Sequence, residues 1–226
     1  MSGAGPLPSA GQPGRIHCRA ILFDLDGVLV DSRRCVERVW RTWAAERTLD
    51  PERFIRESYG RRTSETLRMV APELDVGAET AMLDAMEEIE TEGLVATAGA
   101  RNLLAQLPAG GWAIVTSGSR PVATLRLRTG GLPVPEVFVT GEEVRRGKPD
   151  PEPYLTAAAR MRLSPSDCVV IEDAPAGVEA GVAAGMKVVA VGTTHPFDRL
   201  GAAHARVSGL DGLQVSPEPG GLVIRY

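Results

Sequence analysis

The chain has 226 residues, of which 43% are hydrophobic and 24% charged, so a buried core needs no help from disulfides or a structural metal. At about 150 residues per domain that length is one to two domains. The net charge of −4 excludes a protein that holds nucleic acid by bulk electrostatics. Of the 25 basic residues, 23 are arginine; the two lysines are Lys148 and Lys187. Codon bias accounts for such a skew. A lysine that survives it marks a place to ask whether an ammonium does what a guanidinium cannot.

The first fifteen residues, rich in Gly, Pro and Ser, read as a disordered extension without the apolar core of a signal peptide. Cys18, Cys35 and Cys168 form no C-x-x-C pair; they read as reduced thiols in a cytoplasmic protein. No apolar run reaches the roughly 18 residues of a membrane span.

Ala20–Phe23 predicts a buried strand that delivers Asp24-Leu25-Asp26-Gly27 at its C-terminal end. From Ser32 to about Glu92 apolar residues recur at helical spacing: Val36, Val39, Trp40, Trp43; Phe54, Ile55; Leu67, Val70; Met82, Leu83, Met86, Ile89. Pro51, Gly60, Pro72, Gly77 and Gly93 cut this stretch into about four helices. After Ala98 strands and helices alternate. The strands are Trp112–Val115, Val137–Val139, Cys168–Ile171 and Val188–Val191; the helices are Pro121–Arg128, Pro151–Met161 and Ala176–Ala184. This rhythm predicts a Rossmann-like parallel sheet with helices on both faces. The domains expected are a core of 16–31 and 97–226 with a helical insert at 32–96. The tail from Gly209 to Tyr226, Gly- and Pro-rich, carries no clear pattern.

Polar clusters close three strands: Asp24/Asp26, Thr116/Ser117 and Glu172/Asp173. Ligands of open α/β sheets bind outside the carboxyl ends of the strands, so these clusters converge. The loop Gly147-Lys148-Pro149-Asp150 joins them. Clustered carboxylates repel unless a cation sits among them, and an oxygen-only ligand set favours Mg²⁺. Hydroxyls, backbone N–H groups and a lysine suit the oxygens of a phosphate. The set reads as a metal-assisted phosphoryl-transfer centre. The pattern G-x-x-x-x-G-K-[ST] is absent, so it is not a P-loop. Nor does DLDG open a calcium loop, since Gly27 falls at the wrong position.

The segments FDLDGVLVDS (Phe23–Ser32), VTSGS (Val115–Ser119), GKPDPEPY (Gly147–Tyr154) and VIEDAPAGVEAGVAAGM (Val170–Met186) resemble the four motifs of the haloacid dehalogenase-like hydrolase superfamily, in order and spacing. With the insert the resemblance spans residues 20 to 213. The insert resembles the four-helix cap of the β-phosphoglucomutase-like branch, placed after the first strand of the core.

The resemblance implies roles. Asp24 matches the nucleophile that becomes an aspartyl phosphate, and Asp26 the general acid/base. Asp24, the backbone carbonyl of Asp26, and Asp173 match the Mg²⁺ ligands, with Glu172 acting through a metal-bound water. Thr116, Ser117 and the Gly118 N–H match the phosphate-holding motif, with the main hydroxyl left open between Thr116 and Ser117. Lys148 matches the lysine that neutralises the nucleophile–phosphate cluster. Simpler roles stand beside these: Asp26 as a turn residue, Asp31 near a helix N-cap, Asp173 capping the helix after Ala174, Ser119 as a helix cap, Lys187 and His195 as surface residues.

An Asp at position 26 sets the chain apart from carbon–halogen hydrolases of this superfamily, and a cap without lysine from the Schiff-base branch. Mutases of the branch carry a cap His where this chain has Val36, and an Arg where it has Thr63. The segment Tyr59-Gly60-Arg61-Arg62-Thr63 with Val70-Ala71-Pro72 instead resembles 2-deoxyglucose-6-phosphate and glycerol-phosphate phosphatases. That implies that Arg62 and Thr63 face the active site, although Tyr59 stands where those relatives often have His. The expected protein is a Mg²⁺-dependent phosphatase of a small sugar or polyol phosphate. Its partner would be a small phosphorylated metabolite, with no nucleic acid or membrane, in a monomer or weak dimer. A sugar-phosphate mutase and a non-catalytic phosphate-binding protein remain as alternatives.

Overall fold

The computed structural model describes residues 14–226; nearly all of the expected N-terminal extension lies outside them. In chain order the elements are β1 (Arg15–Cys18), β2 (Ala20–Phe23), β3 (Val30–Asp31), α1 (Arg33–Glu46), α2 (Pro51–Ser58), α3 (Thr63–Val70), α4 (Val76–Glu87), β4 (Val95–Ala96), α5 (Ala100–Leu104), β5 (Trp112–Val115), α6 (Arg120–Gly130), β6 (Val137–Val139), α7 (Glu152–Arg160), β7 (Cys168–Glu172), α8 (Pro175–Ala183), β8 (Lys187–Val191), β9 (Ala205–Val207), β10 (Gln214–Glu218) and β11 (Gly221–Arg225).

Six strands form one parallel sheet in the order β6-β5-β2-β7-β8-β9. The central strands β2, β5 and β7 are buried along their whole length, as their unbroken apolar runs require with helices on both faces. The two faces are packed by separate clusters. Phe23, Ile114 and Ile171 lie in one, and Leu22, Val115, Val170 and Tyr154 in the other.

Between β3 and β4 the chain forms four helices, α1 to α4, a cap that follows the first strand of the parallel sheet. It has its own core. Trp40, Trp43 and Phe54 pack with ring centroids 5.0 to 5.5 Å apart, around Val39, Ile55, Leu67 and Leu83. Each such buried side chain contributes about 1.5–3 kcal/mol by leaving water. The chain enters and leaves the cap through β3 and β4, which pair antiparallel, Val30 with Ala96 and Asp31 with Val95. The last helix differs from the expected stripe. Of its apolar residues Leu83 is buried, Met82 is exposed, and Ile89 lies beyond the helix end, 83% exposed.

Two more differences concern the ends of the chain. The unpatterned tail contains a hairpin, β10 and β11, and β11 pairs antiparallel with β1. Residue Arg15, placed at the edge of the expected disorder, therefore begins a strand. Ile16, Val215, Leu222 and Ile224 are buried by this arrangement, which extends the core under one face of the sheet.

Candidate active site

All three predicted clusters meet at the C-terminal ends of β2, β5 and β7. Asp24 follows β2, Thr116 and Ser117 follow β5, Glu172 ends β7 and Asp173 follows it. Each strand holds its terminal residue in place through the ladder; the Asp24 N–H, for instance, donates to the Ile171 carbonyl at 3.0 Å. Asp24, Glu172 and Asp173 are buried, and one carboxylate oxygen of each lies within 4.8 Å of the others. Lys148 comes from the loop before α7 with its side chain fully buried. Its ammonium donates to Asp24 Oδ1 at 2.6 Å, to Glu172 Oε1 at 2.7 Å and to the Val115 carbonyl at 3.0 Å. Three donors thus meet three acceptors, which satisfies the ammonium completely.

Glu172 is the most constrained of the acids. Its Oε1 accepts from Lys148 and, at 2.8 Å, from the Tyr154 hydroxyl. Its Oε2 accepts the backbone N–H groups of Asp173 and Ala174. It is therefore Glu172, and not Asp173, that satisfies backbone donors at the start of α8. This leaves Asp173 Oδ1 buried without any partner, an acceptor that costs free energy unless something binds it. Two glycines make room for the acids. At Gly177 a Cβ would sit 1.6 Å from Glu172 Oε1. At Gly27, φ is +79° and a Cβ would sit 1.9 Å from Asp173 Oδ2.

Burial pushes the Asp24 carboxyl up to about 7, against the opposing pull of Lys148 and with further repulsion from Glu172 and Asp26. Burial also raises Asp173 well above its ordinary value, helped by Glu172 and Asp24. Such a set is short of positive charge. An oxygen donor set with an unpartnered buried carboxylate oxygen fits a hard divalent cation.

Asp26 is more open and points into the cavity, not merely into a turn. Its Oδ1 accepts from the Ser32 hydroxyl at 2.6 Å, and its Oδ2 accepts from Arg126 Nη1 at 2.7 Å. The Thr116 hydroxyl lies 3.5 Å from Oδ2. Arg126 belongs to no motif, and nothing in the sequence sets it apart from the chain's other arginines.

A cavity with about 70 Å³ of free space lies between core and cap. Asp24, Asp26, Thr116, Ser117, Gly118 and Asp173 line it from the core; Arg33, Val36, Tyr59, Arg61 and Thr63 line it from the cap. Thr63 is thus part of the wall. Arg62 is not. Its guanidinium turns away and donates to the carbonyls of Gly141, Val144 and Arg145, and it pairs with Glu65. Glu65 in turn accepts the Gly147 N–H. Arg62 therefore fastens α3 to the loop that carries Lys148, and its neighbour Arg61 faces the cavity with no ion-pair partner among the described residues. The start of α3 decides this: Arg62 occupies the N-cap position, so consecutive residues there diverge.

Two phosphate-motif groups are engaged within the protein. The Ser117 hydroxyl donates to the Gly60 carbonyl of the cap at 2.9 Å, and the Gly118 N–H donates to Thr116 Oγ1 at 3.1 Å. The Thr116 hydroxyl proton has only the long 3.5 Å contact to Asp26. Of the simpler roles, Ser119 does occupy the N-cap of α6, but its hydroxyl makes no capping bond. The Asp31 side chain binds Arg33. His195 is not a free surface residue: Nδ1 contacts the Asp173 carbonyl at 3.2 Å and its ring packs edge-on against Tyr59.

A family model for haloacid dehalogenase-like hydrolases matches residues 18–185. Hexitol phosphatase A of Escherichia coli is 46% identical over 92% of this chain and 99% of its own. Glycerol-1-phosphate phosphohydrolase 2 of Saccharomyces cerevisiae is 34% identical over 84% of this chain and 80% of its own. Among solved structures, a hydrolase from Pseudomonas syringae superposes with a TM-score of 0.73 at 26% identity, over 84% of this chain and 92% of that one.

Proposed function

The chain belongs to the haloacid dehalogenase-like hydrolases, and from that premise we propose that it hydrolyses the phosphomonoester of a small sugar or polyol through an aspartyl-phosphate intermediate. The observation that carries this is the pairing of two unlike aspartates in one cavity. Asp24 is buried and bound to Lys148, and Asp26 is partly buried and held by hydroxyl and guanidinium donors.

In this reading Asp24 attacks phosphorus and displaces the sugar oxygen, while Asp26 gives that oxygen its proton. Asp26 then takes a proton from the water that cleaves the acyl phosphate, which frees Asp24 and releases inorganic phosphate. Lys148 keeps Asp24 oriented and offsets the charge that accumulates there. Thr116 supplies the main hydroxyl to the phosphate, since the Ser117 hydroxyl is spent on the cap carbonyl of Gly60. Thr63 and Arg61 face the substrate from the cap, and Arg62 holds the cap down. Asp24, Asp173 and the Asp26 carbonyl would hold Mg²⁺, with Glu172 behind them orienting Lys148 and the Asp173 backbone. When bound, that cation supplies positive charge against the phosphoryl oxygens.

The domains in this reading are the core at 16–31 and 97–226 and the cap at 32–96, which excludes bulk water when seated. The substrate is a free cytoplasmic metabolite rather than a nucleic acid or a membrane lipid, and the working form is a monomer or weak dimer. No helix among the described residues is long and apolar enough to cross a membrane.

Screening phosphorylated metabolites for phosphate release tests this. Turnover of hexitol or glycerol phosphates without rearrangement is expected. Conversion of glucose-1-phosphate to glucose-6-phosphate would establish the mutase instead, a reading that the apolar Val36 in the cavity wall disfavours. Failure on every phosphomonoester, with and without Mg²⁺, would favour a non-catalytic, phosphate-binding protein.

The metal has a second test, free of turnover. A carboxyl whose folded value is raised stabilises the fold below its ordinary value and loses that contribution as pH climbs through the folded value. For Asp24 this window runs from 3.8 to about 7, and Asp173 acts in the same direction. The metal-free protein should therefore lose stability across that window. Added Mg²⁺ should raise the Tm little at about pH 5 and clearly at about pH 8, because the ligands must deprotonate to bind it. Asp173→Asn should abolish the rise. A Tm indifferent to Mg²⁺ at both values would overturn the metal assignment.

A further inference from the structure

Arg126 lies on α6 with its side chain 6% exposed. One end of its guanidinium donates to Asp26 Oδ2 at 2.7 Å; the other donates to Glu87 Oε2 at 2.8 Å. Asp26 belongs to the core, and Glu87 is the last residue of α4, the final helix of the cap. A single buried cation therefore bridges the proton-transfer residue and the cap. The second oxygen of Asp26 accepts from Ser32, at the point where the chain enters the cap. One oxygen of Asp26 is thus held at the cap entrance, and the other by a core arginine that also reaches the cap.

We propose that Arg126 is a positioning residue that sets the plane of the Asp26 carboxyl, and that it does so through Glu87 only while the cap is seated. A short carboxyl side chain is free to turn about its last bond, whereas proton transfer needs it within hydrogen-bond reach of one oxygen. The planar guanidinium fork fixes two acceptors at once, which a lysine ammonium at the same place could not do with the same geometry. Buried charge adds the coupling. The Arg126 guanidinium and the Glu87 carboxylate are both largely out of water and are tolerated there only together, because removal of one leaves the other uncompensated. Displacing α4 would withdraw Glu87 and open the bridge to water, so the proton donor is set when the substrate is enclosed. The inference rests on the reading of Asp26 as the acid that protonates the leaving oxygen.

The test compares leaving groups. A polyol phosphate releases an alkoxide, which needs a proton as it departs. p-Nitrophenyl phosphate releases a stable phenolate, which does not. kcat/KM reports steps up to departure of that group and leaves out the later attack by water. Arg126→Met should lower kcat/KM for a polyol phosphate about tenfold to a hundredfold more than for p-nitrophenyl phosphate. Arg126→Lys and Glu87→Gln should shift the same ratio in the same direction by less. Because Glu87→Gln keeps shape and an acceptor, it carries the test should Arg126→Met fail to fold.

A merely structural role lowers the active fraction and both substrates fall together; an unchanged ratio in Glu87→Gln and Arg126→Lys overturns the proposal. A wild-type protein that cleaves p-nitrophenyl phosphate yet shows this unchanged ratio in its variants removes the inference alone. A wild-type protein that cleaves neither substrate removes the phosphatase reading and the inference with it.

Discussion

Asp24→Asn is expected to lower phosphate release by on the order of 10⁴-fold or more, as loss of an attacking group does when nothing nearby can replace it. The substitution changes almost nothing else. Asp24 is 4% exposed, and Asn fills the same space. Its side-chain oxygen can still accept from Lys148, which keeps Glu172 and the Val115 carbonyl as partners. What is lost is the negative oxygen able to attack phosphorus. Stability should move the other way. Burial and the neighbouring acids push Asp24 up to about 7, so above that pH the ionised carboxylate strains the site. In the absence of divalent cations the variant should therefore have a Tm at about pH 8 no lower than wild type. An inactive variant that folds at least as well as wild type separates chemistry from structure. Full activity in Asp24→Asn would end the nucleophile assignment.

The core acids were legible because a parallel sheet imposes a rule that sequence can express. Continuous apolar runs mark strands buried on both faces, and whatever polar residues follow them are delivered to one edge. Asp24, Thr116, Glu172 and Asp173 needed nothing further to be brought together. Lys148 was legible for a different reason, as an ammonium in an arginine-rich chain. What stayed hidden depends on partners distant in sequence. Arg126 has the spacing of an ordinary helical arginine, and its importance comes from Asp26 and Glu87, 100 and 39 residues away. Arg61 and Arg62 are adjacent, and only the backbone at the N-cap of α3 decides which faces the cavity and which grips the loop at Gly141–Arg145. Ser117 was read by its motif as a phosphate ligand, but the carbonyl that takes its proton lies in the cap. The hairpin β10–β11 failed to register because Pro217, Gly220 and Gly221 mask a strand pattern that is stabilised by pairing with β1 at the other end of the chain.

Lys148→Arg should lower kcat about a hundredfold or more and also lower the Tm, although the charge is kept. The Lys148 side chain is fully buried, wedged between Asp24, Glu172 and the face of Tyr154, whose ring centroid lies 5.1 Å from Nζ. Three donors on one compact nitrogen meet three acceptors that converge on a point. A guanidinium spreads five donors over a plane. It cannot place its charge at that point without displacing either Asp24 or Glu172. Overpacking a filled site costs about 1–3 kcal/mol, and donors left without acceptors in the interior add to that. Displacing Asp24 misdirects the nucleophile; displacing Glu172 loosens the amides of Asp173 and Ala174 that its other oxygen holds, and with them a metal-side carboxylate. Both routes reach the chemistry, so the loss should appear in kcat and remain at saturating substrate. Lys187, at the exposed start of β8, is the internal control: Lys187→Arg should leave kcat and Tm unchanged. If Lys148→Arg behaves like Lys187→Arg, the survival of lysine at position 148 owes nothing to the geometry of its three bonds.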